Sequence, residues 1–172
     1  LWLGSGAGVF GGLNFAEPSL EWGLGPVDAL TTGDLTGDGK VDVILARNNT
    51  LEMHANTGAG TFAPPKLVSL GSAIARDLVL VDLDLDGDLD VAAAIEGTAH
   101  HTWLNNGKGI LLPEGIAQAR LEQCVEAGTL NGDPYPELVF AVSDSSSHLI
   151  ELNLGLDCWA PGGPGWRGMT PA

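Results

Sequence analysis

In the stretch Val81-Asp82-Leu83-Asp84-Leu85-Asp86-Gly87-Asp88-Leu89-Asp90-Val91-Ala92-Ala93-Ala94, an acid stands at every second position from 82 to 90 and an apolar run follows. Five aspartates within nine residues repel one another, and without a cation that repulsion opposes folding. A tight turn at Gly87 would fold the side chains around one centre. Calcium is a hard cation that takes 6–8 oxygen ligands, so alternating carboxylates suit it. The bland alternative is a solvated acidic turn.

Two further stretches align with the first. Gly33-Asp34-Leu35-Thr36-Gly37-Asp38-Gly39-Lys40-Val41-Asp42-Val43-Ile44-Leu45-Ala46 repeats it closely. Gly128-Thr129-Leu130-Asn131-Gly132-Asp133-Pro134-Tyr135-Pro136-Glu137-Leu138-Val139-Phe140-Ala141 repeats it loosely. The loops begin at Asp34, Asp82 and Thr129, about 48 residues apart. A glycine motif alternates with them: Leu3 to Phe10, Ala55-Asn56-Thr57-Gly58-Ala59-Gly60-Thr61-Phe62, and Leu104-Asn105-Asn106-Gly107-Lys108-Gly109-Ile110-Leu111, with a degraded copy at Leu152 to Asp157. Glycines between strand-forming residues read as hairpin turns. Each unit then predicts four short strands: one into the acidic loop (Val27–Thr32, Asp77–Val81), one out of it (Val41–Ala46), one before the glycine turn (Leu51–Ala55) and one after it (Thr61–Phe62). Four antiparallel strands in such a unit have the size of a propeller blade.

Side-chain ligands are expected at Asp34, Thr36, Asp38 and Asp42 in the first loop, with the carbonyl of Lys40. In the second loop they are Asp82, Asp84, Asp86 and Asp90, with the carbonyl of Asp88. The third loop keeps only Asn131 and Asp133, because Thr129, Pro134 and Glu137 replace the first Asp, the Gly and the last Asp; weak binding or none is expected there. An EF-hand fails. It needs Glu at the twelfth position, where Leu45 and Ala93 stand, and a helix, where Val41-Asp42-Val43-Ile44-Leu45 alternates like a strand.

On these acidic loops and the turns ending in Gly8-Val9-Phe10 and Gly60-Thr61-Phe62, the sequence resembles the FG-GAP/VCBS repeat family, whose blades build integrin α-subunit heads and many secreted bacterial and fungal proteins. The resemblance implies an all-β propeller with calcium in the loop joining the first two strands of a blade. It covers nearly the whole chain and says little about function, since members include adhesion proteins, lectins and accessory domains of hydrolases. The expected organisation is three to three and a half four-stranded blades: a partial blade over 1–26, blades with calcium loops over 27–72 and 73–122, a degenerate blade over 123–159, and a Gly/Pro-rich linker tail over 160–172. The first glycine hairpin lacks an acidic loop upstream. The chain therefore reads as a piece of a longer propeller, or as a subunit whose half-blade a second copy completes.

The totals fit. Of 172 residues 44% are hydrophobic, enough to fold, and 25 glycines with 10 prolines suit a turn-rich β protein. With 22 acids against 7 basic residues and a net charge of −15, nothing here neutralises phosphate or anionic lipid, so nucleic-acid binding is not expected. No apolar run approaches the roughly 20 residues that span a bilayer. The opening Leu1-Trp2-Leu3 has neither an initiator Met nor a signal peptide, as in a processed product or a piece of something longer. Cys124 and Cys158 read as one disulfide in a secreted context, with a free buried pair as the alternative, and Asn48-Asn49-Thr50 is a glycosylation sequon.

Weaker signals carry bland readings. Trp2 and Trp103 are expected to pack between blades rather than stack on sugars. His100-His101 reads as a solvated loop, and nothing places Asp77 and Glu96 together as an acid/base pair. No nucleophile motif or phosphate loop appears, so catalysis is not expected. The functional expectation is an extracellular or cell-surface calcium-binding structural or adhesive module with a protein or glycan partner, copies of itself included. The alternatives are a lectin of the same fold and an accessory domain of a secreted hydrolase.

Overall fold

The computed structural model describes residues 25–96, 100–116, 122–143, 149–152 and 167–168. Trp2, the first glycine hairpin, the degraded hairpin beyond Leu152, Cys158 and most of the tail lie outside them. Among the described residues there is no helix, and none long and apolar enough to cross a membrane. Three four-stranded antiparallel sheets follow one another along the chain, each in meander order.

The first sheet holds β1 (Ala29–Gly33), β2 (Asp42–Arg47), β3 (Thr50–His54) and β6 (Lys66–Ser69), with a two-stranded hairpin of β4 (Asn56–Gly58) and β5 (Thr61–Phe62) interposed. The second holds β7 (Ile74–Val81), β8 (Asp90–Glu96), β9 (His101–Asn105) and β10 (Leu111–Ile116). The third holds β11 (Glu122–Gly128), β12 (Glu137–Val142), β13 (Leu149–Leu152) and β14 (Arg167–Gly168).

The strands follow from alternation and the turns from backbone freedom. Asn48 and Asn49 join β2 to β3 at φ 49° and 60°, left-handed values that Asn tolerates better than most residues. In β8 the period-two pattern divides two cores among the described residues. Val91, Ala93 and Ile95 pack with Ile44, Leu51, Met53 and Trp103, whereas Ala92 and Ala94 pack with Val125, Leu138 and Phe140. Alanine is small enough for a sheet to approach on either side. Burying each larger apolar side chain contributes about 1.5–3 kcal/mol. The central sheet is thus clamped between its neighbours, and every acidic loop leaves the first strand of a sheet and returns as the second.

Two expectations are corrected. Thr61–Phe62 is not the fourth strand of the first unit: it pairs only with Asn56–Gly58, and the outer strand is Lys66–Ser69. Two residues after a tight turn are too few to run the length of β3. Arg167–Gly168, within the Gly/Pro-rich tail over 160–172, pairs with Glu151 and Leu152. Pairing uses backbone groups, so a Gly/Pro-rich flank does not forbid it. Cys124 is a free, exposed thiol rather than half of a disulfide. A hydrogen bond to Asp77, followed by partial burial, pushes its pKa up to about 11, so it stays protonated at neutral pH.

Candidate metal centre

In the second loop the geometry begins with Asp82 at the end of β7. Its Oδ2 accepts the Gly87 N–H at 3.0 Å, which closes the turn, and its Oδ1 is buried without a hydrogen-bond partner. Asp84 Oδ1 accepts the Asp86 N–H (3.2 Å) and Asp86 Oδ1 accepts the Asp88 N–H (2.9 Å). One carboxylate oxygen from each of Asp82, Asp84 and Asp86 lies within 4.8 Å of the others. Burial, then the charges of Asp86 and Asp82, raises the Asp84 pKa. The turn needs left-handed backbone at two places, Leu85 (φ 62°) and Gly87 (φ 95°). A leucine held there carries strain of about 1–2 kcal/mol.

The ninth position does a job that the ligand pattern alone did not disclose. Asp90 is fully buried; its Oδ2 accepts the Leu83 N–H at 2.7 Å and its Oδ1 the Asn105 N–H at 2.8 Å. It braces the loop from beneath and ties it to the glycine hairpin of the same repeat. Burial, then the charges of Asp84 and Asp86, pushes its pKa up to about 6. Asp42 repeats the brace, fully buried, with the N–H groups of Leu35 (3.0 Å) and Asn56 (2.7 Å). Glu137 does half of it: Oε2 accepts the Leu130 N–H at 2.6 Å, and buried Oε1 has no partner. The recurrence of Asn56 and Asn105 in the glycine motif was the available signal for the brace's second partner.

The first loop has the oxygens but closes them on itself. Asp34 accepts the N–H groups of Thr36 (3.3 Å), Gly37 (2.8 Å), Asp38 (3.2 Å) and Gly39 (2.7 Å). The Lys40 ammonium sits on Asp38 and holds its carboxyl below the usual range. The Thr36 hydroxyl is buried without a partner. Gly37 and Gly39 take the two left-handed positions at φ 70° and 79°. The third loop differs in kind. Gly132 is left-handed (φ 89°), but proline at 134 fixes φ near −65° and cannot supply the second such position. Asn131 Nδ2 donates to Asp133 Oδ2 at 2.7 Å, so that carboxylate oxygen is engaged by an amide hydrogen.

The donor sets therefore fit calcium unequally. The second loop has three converging carboxylates and an unpartnered buried oxygen. The first offers the same positions once Lys40 leaves Asp38. The third offers a poor set. The carbonyls expected as ligands, of Lys40 and Asp88, belong to residues whose N–H groups donate to the fifth-position carboxylate, at 3.0 and 2.9 Å.

The other singled-out residues are spoken for. Trp103 is 3% exposed in the first core, with His101 edge-on at 5.5 Å. The expected solvated histidine pair is corrected: His100 is buried, bonded to Glu122 at 3.1 Å and stacked on Phe140 at 4.2 Å. It occupies the end of the β8–β9 connection and reaches the first strand of the next sheet. Asp77 accepts the Val125 N–H at 3.0 Å while Glu96 pairs with Arg76, so the structure gives those two acids different partners.

An all-β array of hairpin repeats carrying acidic loops is the class that this fold and site define. Residues 34–93, which span the first two acidic loops and the hairpin between them, match the family model of the FG-GAP-like repeat. A search of curated proteins finds no match.

Proposed function

We propose that the chain is part of a calcium-stabilised β-propeller, an extracellular structural or adhesive module without catalytic activity. The observation that carries the metal reading is the Asp82–Asp84–Asp86 cluster with its unpartnered buried Asp82 oxygen. Calcium there would neutralise the repulsion among the acids and supply the missing partner. The first loop is the second site, with Lys40 displaced, and the third is not a site. A propeller closes with about four to eight blades, so the ring takes blades beyond the three described sheets, from the same polypeptide or from a second copy. Calcium rigidifies the loops, and the module then presents loops and strand edges to a protein or glycan partner. Of the glycan-binding alternatives, Trp103 is the weaker support because its indole is buried.

Calcium titration with thermal melting and size analysis, with and without EDTA, tests this reading. Two equivalents of calcium should bind and raise the melting temperature. Asp84→Asn/Asp86→Asn should remove one equivalent. Unchanged melting on chelation would leave the acidic loops as solvated turns.

A further inference from the structure

Leu35, in the first acidic loop, is fully buried and has both backbone groups engaged. Its N–H donates to Asp42 Oδ2 at 3.0 Å, within its own repeat. Its carbonyl accepts a hydrogen bond from Asn105 Nδ2, 70 residues away, at 2.9 Å. Asn105 is 4% exposed and belongs to the glycine hairpin of the second repeat. The same Nδ2 donates to the Leu89 carbonyl at 3.0 Å, and its backbone N–H donates to Asp90 at 2.8 Å. One side chain thus holds the start of the first loop and the end of the second.

Steric contact runs along the same line. A methyl at Gly37 of the first loop would fall 3.3 Å from the Gly107 carbonyl oxygen. A methyl at Gly107 would meet the Asp88 carboxylate of the second loop. The hairpin thus lies against both loops: a Cβ at Gly37 would press on its backbone, and one at Gly107 would displace the Asp88 carboxylate. The first repeat's own Asn56 lacks this reach among the described residues: its Nδ2 goes to Val41 at 3.0 Å, and its Oδ1 accepts the Gly58 N–H at 2.8 Å.

We infer that Asn105 couples the two acidic loops, so that ordering one by a divalent cation raises the affinity of the other. This rests on the calcium reading above. A cation at the second loop fixes Asp82–Asp90, Asp90 seats Asn105, and Asn105 holds Leu35 and with it the backbone of the first loop. Linkage makes the effect reciprocal, and couplings of this kind are worth about 5–150-fold. Asn105 is a positioning residue and touches no cation.

The test follows the amide resonances of Gly37 and Gly39 during calcium titration, together with amide exchange at Leu35 in EDTA. Disabling the second loop with Asp84→Asn/Asp86→Asn should weaken calcium binding at the first by about tenfold. On an Asn105→Leu background that loss should disappear, and Leu35 should exchange about tenfold faster without metal, whereas Asn56→Leu should leave the coupling intact. If Asn105→Leu does not fold, the comparison of wild type with the loop-two variant still decides. Calcium bound at the first loop with unchanged affinity when the second is disabled overturns the coupling and leaves the metal reading standing. No calcium bound at either loop overturns both.

Discussion

Leu85 shows how a single residue can carry the strain of a site. It stands at φ 62°, where the first and third loops have Gly37 and Gly132, and its side chain is 43% exposed, so little burial offsets the cost. Strain of this sort persists where the surrounding structure over-determines the backbone, here through the bonds from Gly87 to Asp82 and from Leu83 to Asp90. Glycine at 85 would relieve the left-handed penalty but lose unfolded-state restriction, leaving a net gain. Leu85→Gly is therefore expected to stabilise the calcium-free protein by about 0.5–1 kcal/mol in urea denaturation. Destabilisation would mean that Leu85 packs on something worth more than its strain. The aspartates' alternation was plain in the sequence, yet the division of labour among them was not. Asp90 and Asp42 look identical to ligands on paper, and only the return of the chain beneath the loop reveals that each accepts two backbone amides.

At the level of strands, β2 and β3 are stapled across one face by Arg47, Glu52 and His54. Arg47 donates to both Glu52 oxygens at 2.8 and 2.9 Å, and His54 Nε2 lies 3.3 Å from Glu52 Oε2. The Arg47 guanidinium, helped by His54, holds the Glu52 carboxyl below its ordinary 4.5 despite partial burial. A depressed carboxylate pKa stabilises the fold above the ordinary value, and that stabilisation is lost as pH falls through the lower folded value. Glu52→Gln should thus be less stable than wild type by about 1–2 kcal/mol at neutral pH, with the gap closing under acid. Urea melts in EDTA across that range check it, and a pH-independent gap would assign the effect to packing. Strand existence was legible here from the alternation in Val43-Ile44-Leu45 and Leu51 to Met53. The fourth strand was not, because Lys66-Leu67-Val68-Ser69 is short and its neighbour Thr61-Phe62 sits beside a stronger turn signal. The pairing of β14 was hidden for a related reason: two residues in a Gly/Pro-rich tail carry no periodicity at all.

Over the whole molecule the three sheets share one topology but not one set of ties. The first and second meet over a core with Ile44, Met53, Ile95 and Trp103, reinforced by Asn105 and by Asn49, whose Nδ2 donates to the Ala73 carbonyl at 2.8 Å. The second and third meet over a smaller cluster in which Ala92 and Ala94 face Val125, Leu138 and Phe140. That seam also buries Glu122 Oε2, and the third sheet buries Glu137 Oε1, each without a hydrogen-bond partner; a buried unsatisfied polar group costs about 1–3 kcal/mol. Among the described residues the outer strand of the third sheet is Arg167–Gly168, and in its loop Pro134 stands where the other two have a left-handed glycine. Local opening follows such weaknesses, so the third sheet should open before the other two. In EDTA the amides of Val139 and Phe140 on β12 should exchange at least about tenfold faster than those of Val91 and Ala93 on β8. On the calcium sites proposed above, the metal should slow exchange in the first two sheets more than in the third, whose loop is not a proposed site. Equal protection across β8 and β12 would instead make the three sheets one cooperative unit, with the degenerate third loop costing the fold nothing.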